Sequence, residues 1–168
     1  LQLQDYLRES QPEKLPLLTR YSDSLVSLTK VYSLEKAMAD ALSRRVWLKS
    51  GGYLVIEPTE AMTVIDVNTG KYPGKKNMAE TVLRLNLEAA WEIGRQLRLR
   101  NLSGIIVVDF IDMERTEDSQ ILLKTLGQAV AADPVKTTVV EMTKLGLVEL
   151  TRKKVRRPLS EQIQENEK

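Results

Sequence analysis

Two aspartates, Asp66 and Asp109, each stand near the end of a β-branched apolar run, and Asn68 follows the first by two residues. Residues i and i+2 of a β-strand project from one face, so Asp66 and Asn68 should point the same way. Mg²⁺ typically takes one or two protein carboxylates and fills its other positions with water and phosphate oxygens. The aspartates could therefore share a divalent cation. The alternative is that one closes a turn and the other caps the following helix.

The residues around the two aspartates form one unit of strand, loop, helix and strand. In chain order this unit consists of strand 62–68, loop 69–76, helix 78–100 and strand 105–113. A single crossover favours a right-handed connection and parallel strands, so both aspartates should reach the same edge of the sheet. If the strands are neighbours, they lie roughly 4.8 Å apart. The second strand is apolar on both faces as far as Val108, which predicts a central strand covered on both sides.

The rest of the chain supplies further elements for an α/β fold, a layered sheet flanked by helices. Periodicity and turn residues predict helices at 1–10, 33–42 and 119–131, strands at 46–48, 53–57, 137–142 and 147–150, and a polar, frayed tail at 160–168. The segment 17–31 is compatible with either a strand or a short helix. A chain of 168 residues makes one or at most two domains.

Composition excludes some classes of protein. The net charge of +2 is only weak evidence for a nucleic-acid partner. The chain has no histidine, the commonest general acid or base, which favours a metal-activated water as nucleophile. It has no cysteine, so disulfides are excluded, and no long apolar span, so a soluble protein without a membrane segment is expected.

Several stretches, in order, resemble the ribonuclease E/ribonuclease G family of bacterial and plastid endoribonucleases. They are residues 50–68, 86–90, 95–100, 108–113 and 145–153. The resemblance covers roughly Val46 to Leu159, with a weaker match upstream. The chain begins with Leu1 rather than Met, and we expect it to be a fragment of the family's catalytic domain.

The resemblance implies a Mg²⁺-dependent endoribonuclease, with Mn²⁺ as a possible substitute. Such enzymes cleave single-stranded, often A/U-rich RNA in RNA processing and decay, leaving 5′-phosphate and 3′-hydroxyl ends. The family's metal-binding aspartates correspond to Asp66 and Asp109, and its assisting asparagine to Asn68. The resemblance also implies a homo-oligomeric parent enzyme in the cytoplasm or plastid stroma. The alternative is a non-catalytic RNA-binding or protein-interaction module, separated from the family's other domains.

The resemblance also implies a domain organisation. Residues 1–41 correspond to part of a ribonuclease-H-like subdomain, residues 42–159 to a deoxyribonuclease-I-like catalytic subdomain, and residues 160–168 to a polar tail. Nothing in the chain matches the family's OB-fold domain or its pocket for a 5′-monophosphate. The family's zinc-linking cysteines would fall beyond Leu159, so no zinc site is expected within this chain.

Basic and aromatic residues are candidates for contact with RNA. The basic candidates are Lys71, Lys75 and Lys76 in the loop after the first strand, and Arg152, Lys153 and Lys154 in the basic run 152–157. The basic run is equally typical of an edge strand that charge protects from aggregation. The aromatic candidates for stacking on bases are Trp47, Tyr53 and Trp91, for which a place in the core or at its rim is the more ordinary expectation.

Three further acidic residues lie near the candidate site in sequence. Strand alternation places Asp112 on the face opposite Asp109, which favours a helix cap or a hydrogen-bond acceptor over a metal ligand. Glu57 and Glu60 flank the strand before the site. They could support the site from behind or form salt bridges with the arginine-rich helix.

Overall fold

The computed structural model describes residues 2–70 and 78–166, and the chain divides into two units, Leu1–Met38 and Ala39–Lys168. The first unit contains α1 (Gln2–Ser10), a 3-10 helix (Pro12–Leu17), α2 (Leu28–Val31) and the start of α3 (Leu34–Leu42). None of its described residues is buried. The undecided segment 17–31 therefore yields only the short helix α2, because its apolar side chains have no core in which a strand could pack.

The second unit is built on a six-stranded mixed sheet with the order β1-β2-β3-β4-β6-β5. Its strands are β1 (Arg45–Trp47), β2 (Tyr53–Pro58), β3 (Met62–Asn68), β4 (Gly104–Asp109), β5 (Thr137–Met142) and β6 (Leu147–Arg152). Its helices are α4 (Met78–Arg100), α5 (Thr116–Ala131) and α6 (Leu159–Asn166). The strands β3 and β4 are parallel neighbours, and every other pairing among the described strands is antiparallel. The predicted α/β architecture and the parallel strand–helix–strand unit are confirmed.

The core lies between one face of the sheet and the helices α4 and α5. Apolar residues at three- and four-residue spacing give α4 a buried stripe, which includes Ile93 and Leu97. On the sheet, Ile65 of β3 and Ile106 of β4 are fully buried against this layer. Gly94 lets the two helices approach closely, because a Cβ there would lie 2.7 Å from the carbonyl oxygen of Ala129 on α5.

The opposite face of the sheet, here called the open face, is only partly covered by the described residues. On β4 this face carries Ile105, which is 49% exposed, and Val107, which is half-buried. The prediction that β4 is covered on both sides is therefore wrong for the described residues. The apolar run satisfies the pattern of a doubly covered strand, but α4 and α5 pack on the face of Ile106 and Val108.

The end of the chain also differs from the prediction, since the expected polar tail contains the helix α6. The segment before α6 is anchored: Asn101 Nδ2 donates to the carbonyl oxygen of Arg157 at 3.0 Å. Pro158 then starts the helix by accepting from the backbone N–H groups of Glu161 and Gln162. The pattern of a polar sequence does not reveal such hydrogen bonds, so α6 was not predicted.

Candidate active site

The candidate metal-binding aspartates are direct cross-strand partners. In the parallel pair of β3 and β4, Asp66 is aligned with Asp109 at the end of the register. Neighbouring strands lie roughly 4.8 Å apart, so the two side chains leave the same edge and the same face of the sheet a short distance from each other. Both residues are exposed. The pairing expected from a single right-handed crossover is therefore present.

Asn68 fixes the first carboxylate. Its Nδ2 donates a hydrogen bond to Oδ2 of Asp66 at 2.7 Å, which is possible because the two residues share one face of β3. The bond occupies one carboxylate oxygen of Asp66 and restricts the rotation of its side chain. Asn68 thus acts on Asp66 in this structure, in addition to any contact that it could make with a phosphate.

The second carboxylate lies in an unfavourable electrostatic environment. Partial desolvation of the carboxyl group raises the pKa of Asp109, and the negative charges of Asp66 and Asp112 raise it further. A cation between the two paired aspartates would relieve this repulsion. Among the residues that the structure describes, no three His, Cys, Asp or Glu side chains are grouped closely enough to hold a metal ion. A pair of carboxylates with open positions is nevertheless a donor set that Mg²⁺ accepts, so the residues fit this metal.

Asp112 is not where strand alternation placed it. β4 ends at Asp109, so alternation does not extend to Asp112, whose charge acts on Asp109. Asp112 does not cap the following helix either, because the N-cap position of α5 is Arg115. A Cβ built on Gly146 would lie 3.9 Å from Oδ1 of Asp112, which places Asp112 beside the turn between β5 and β6. The prediction of a helix cap is therefore wrong, and the alternation that assigned Asp112 to the opposite face does not apply to it. Its role as a hydrogen-bond acceptor stays a prediction.

Asn86 supports the loop that follows Asp109, a role that the sequence did not reveal. Its side chain is fully buried on α4. Nδ2 donates to the carbonyl oxygen of Ile111 at 2.8 Å, and Oδ1 accepts from the N–H of Ile111 at 3.1 Å. Asn86 thereby holds the backbone two residues beyond Asp109. The available signal was a polar residue on the apolar stripe of α4, next to Leu85 and Ala89.

The end of β3 is held from the other side by the turn before β2. Glu88 of α4 accepts from the backbone N–H of Lys49 at 2.6 Å and from that of Ser50 at 3.3 Å. This turn lies directly against the site, because a Cβ on Gly52 would come within 2.8 Å of the carbonyl oxygen of Asn68. The helix α4 therefore positions the ends of both β3 and β4, through Glu88 and Asn86.

Comparison with known proteins identifies the family. The sequence model of the Ribonuclease E/G family matches residues 1–155. The chain belongs to this family. Ribonuclease G of Haemophilus influenzae is 46% identical over 158 residues, which are 94% of this chain and 32% of that protein. Ribonuclease E of Nostoc sp. is 51% identical over 127 residues, which are 76% of this chain and 18% of that protein.

Ribonuclease G of Escherichia coli K12 is similar to the same extent, with 45% identity over 154 residues, 92% of this chain and 31% of that protein. The chain therefore spans about a third of the length of the ribonuclease G relatives that it matches. No helix within 2–70 or 78–166 is both long and apolar enough to cross a membrane.

The basic residues proposed for RNA contact in this ribonuclease E/G chain fall into three groups. Arg152 is only 4% exposed, and its guanidinium bonds to Asp133 at 2.7 Å, to Oδ1 of Asn101 at 2.9 Å and to the carbonyl oxygen of Leu102 at 3.0 Å. Its prediction as an RNA contact is wrong, because β6 continues to Arg152 and alternation turns this side chain inward. Lys153 and Lys154 are exposed. Lys71, Lys75 and Lys76 lie outside the described residues.

The glutamates before the site do not pair with the arginine-rich helix. Glu57 forms an exposed ion pair with Arg44, just before β1. Glu60 is exposed. Since Pro58 pairs with Thr63 near the start of β3, both glutamates lie toward the end of the sheet away from Asp66.

Proposed function

We propose that this chain carries the catalytic centre of an endoribonuclease that hydrolyses phosphodiester bonds of single-stranded RNA with Mg²⁺ or Mn²⁺. The observation that carries the proposal is the direct cross-strand pairing of Asp66 and Asp109, in a member of a family whose relatives are ribonucleases. The products would be 5′-phosphate and 3′-hydroxyl ends. A place in RNA processing and decay, in the cytoplasm and within a homo-oligomer, belongs to the same proposal and rests on the family.

Asp66 and Asp109 are the residues that would hold the cation. When bound, such a cation lowers the pKa of a water molecule and stabilises the negative charge that develops on phosphate oxygens. Asn68 keeps one oxygen of Asp66 engaged and leaves the other for the metal. Asn86 fixes the backbone two residues beyond Asp109, which limits the movement of that strand end on binding.

The domain assignment also remains a prediction that rests on the family. Division of the chain at Met38 and Ala39 lies close to the expected boundary between residues 41 and 42. The names ribonuclease-H-like and deoxyribonuclease-I-like for the two parts rest on the family resemblance.

Metal binding and cleavage should be measured on the wild-type chain and on Asp66→Asn, Asp109→Asn and Glu60→Gln. Glu60→Gln is the matched control, because it removes the same charge from an exposed site away from the paired aspartates. We expect saturable Mn²⁺ binding by calorimetry that either Asn variant reduces at least tenfold and the control leaves unchanged. Cleavage of a fluorescent A/U-rich oligonucleotide should follow the same order.

Two results would contradict the proposal. Equal loss of Mn²⁺ binding in Glu60→Gln would show a diffuse charge effect and no defined site. Cleavage that persists in both Asn variants at the wild-type rate would show that the activity comes from elsewhere.

A further inference from the structure

An aromatic pair lies beside the candidate active site on the open face of the sheet. Trp47 of β1 is aligned with Tyr53 of β2, and Tyr53 is aligned with Asn68 of β3. Residues that pair directly across strands share one face, so all three side chains project from the face that carries Asn68 and Asp66. Two residues along the strands, the next cross-strand row on this face contains Arg45, Val55 and Asp66, because Arg45 is aligned with Val55 and Val55 with Asp66.

Arg45, Trp47 and Tyr53 form one cluster, here called the aromatic patch. The ring centroids of Trp47 and Tyr53 are 5.2 Å apart, with the planes tilted by 60°. The guanidinium carbon of Arg45 lies 4.4 Å from the Tyr53 centroid and 5.7 Å from that of Trp47. These contacts fix the orientation of the rings and place a positive charge next to them.

Within the aromatic patch, Tyr53 is half-buried, as a place at the rim of the core predicts, whereas Trp47 lies outside the core. Trp47 is 64% exposed, although it stands on a short strand whose neighbour Leu48 is buried. An exposed apolar ring of this size is removed from water only when another molecule packs against it. Nucleobases are suitable partners, because each base offers a π-face for stacking whatever its sequence.

The position of the patch favours RNA as that partner. Two strand spacings separate Trp47 from Asn68, which is roughly 10 Å. Asp66 and Asp109 lie two residues further along their strands, and Asp109 one strand further across. A stacked strand advances roughly 3.4 Å per nucleotide, so the patch lies about three to five nucleotides from a phosphate held at Asp66 and Asp109. The positive charge of Arg45 would attract a neighbouring phosphate, which the negative charges of the aspartates alone would repel.

We propose that the aromatic patch binds a nucleobase of the RNA substrate, with Trp47 stacking on the base and Arg45 neutralising an adjacent phosphate. The proposal rests on the proposed function for its substrate class. It adds a sequence-tolerant binding subsite on β1 and β2, outside the metal-binding strands. The side chains act in binding and make no contact with the reacting atoms.

The two tryptophans of the chain allow a direct test. Trp91 lies on α4 and is 53% exposed, so it serves as a matched reporter away from the open face. Trp91→Phe leaves Trp47 as the single reporter, and Trp47→Phe leaves Trp91. Both variants should be titrated in EDTA with oligoadenylate and with an abasic oligomer of the same number of phosphates.

We expect oligoadenylate to quench the fluorescence of Trp47 saturably and to leave that of Trp91 nearly unchanged. The abasic oligomer should quench neither tryptophan. In anisotropy titrations, Trp47→Ala should weaken oligoadenylate binding by about tenfold, the range for loss of one stacked base. Arg45→Gln should lower the salt dependence of binding by about one phosphate contact.

Equal quenching of Trp47 by the abasic oligomer would overturn the proposal, because the contact would then be to the phosphate chain alone. No change at Trp47 while the oligonucleotide binds would also overturn it and would leave the patch as a surface for a protein. The EDTA makes this readout independent of metal and of cleavage. Failure of the patch is therefore distinguishable from failure of the aspartates, which the Mn²⁺ titration of Asp109→Asn reports.

Discussion

The carboxyl group of Asp109 lies close to the charges of Asp66 and Asp112, and its pKa is raised by burial and by those two charges. A raised pKa means that folding favours the protonated carboxyl. This group therefore adds stability at acidic pH, and the contribution is lost as the pH rises through the raised pKa. At neutral pH the ionised Asp109 is unfavourable for folding, and a bound cation would reverse this effect.

Asp109→Asn should consequently raise the thermal stability of the metal-free chain at neutral pH. The gain should be small, below about 1 kcal/mol, because the side chain is exposed and solvent screens its charge. Melting curves in EDTA at neutral and acidic pH check this, since the difference should vanish when Asp109 is protonated. With saturating Mg²⁺ the wild type should become the more stable protein. A lower melting temperature of the variant in EDTA at neutral pH would contradict the electrostatic account.

Asn86 presents a second test at the level of single residues. Asn86→Leu keeps a similar volume but leaves the N–H and the carbonyl oxygen of Ile111 without their side-chain partners. We expect a loss of about 2 kcal/mol in urea unfolding, near the cost of an unpaired buried polar group. Metal affinity should fall as well, because the backbone beyond Asp109 is released.

The matched control for this variant is Gln96→Leu. Gln96 is also a buried amide of α4, but it bonds to Glu92 and Arg100 at the far end of the helix. The Gln96→Leu substitution should lower the free energy of unfolding and leave the affinity for Mn²⁺ unchanged. Equal effects of both variants on the metal would mean that Asn86 acts through global stability alone.

At the level of elements, β6 is tied to the end of α5 by a buried ion pair. Asp133 and Arg152 have side chains that are 1% and 3% exposed, and their closest atoms are 2.7 Å apart. Burial raises the pKa of Asp133, but hydrogen bonds from Arg152, Val135 and Thr137 outweigh it and hold the pKa below its ordinary value. The pair therefore stabilises the fold at any pH above the pKa that Asp133 has in the unfolded chain. This stabilisation is lost as the pH falls through the lower pKa that Asp133 has in the folded chain.

Asp133→Asn should lower the free energy of unfolding by about 3 kcal/mol, because it leaves the Arg152 guanidinium buried without its counter-charge. Urea unfolding at neutral pH measures this loss, which should shrink in acid. The double variant Asp133→Asn with Arg152→Met should recover part of it. Strict additivity of the two changes would argue against coupling.

The turn before β2 offers a further test at this scale. In Gly52→Ala the added Cβ would lie 2.5 Å from Cδ1 of Leu85 and 2.8 Å from the carbonyl oxygen of Asn68, so the turn must move away from the core and from the end of β3. We expect weaker Mn²⁺ binding as well as lower stability. Gly127→Ala is the matched control, because nothing lies within 4 Å of its new Cβ and the substitution favours the helix α5 by about 1 kcal/mol. Unchanged metal affinity in Gly52→Ala would separate this turn from the site.

The parts of the fold that were predictable are those with local periodicity. The alternation in β3, the long stripe of α4 and the crossover rule together placed Asp66 beside Asp109. Burial of Arg152 was missed because the predicted strand stopped at residue 150, and because its counter-charge, Asp133, lies nineteen positions earlier in the chain. The role of Asn86 was hidden for the same reason, because a side chain that bonds to a distant backbone leaves no period in the sequence.

At the scale of the whole molecule, the open face of the sheet is the main departure from the expected architecture. Ile105 remains exposed on it at the start of β4, and Trp47 remains exposed on β1, two strands from Asn68. The chain spans about a third of the ribonuclease G of Haemophilus influenzae. Coverage on both sides of β4 was predicted from the apolar run 105–108, and such a run cannot distinguish a face covered by the rest of the chain from an exposed one.

The parallel pairing of β3 and β4 also has a kinetic consequence. Asp66 and Asp109 meet only after the crossover through α4 has closed, and such non-local pairing forms slowly during folding. A cation that needs both carboxylates can then bind only a nearly complete fold. Mg²⁺ should therefore slow unfolding and leave the refolding rate almost unchanged, which stopped-flow measurements with and without the metal would show. Under this mechanism, the bound metal would extend the lifetime of the native state.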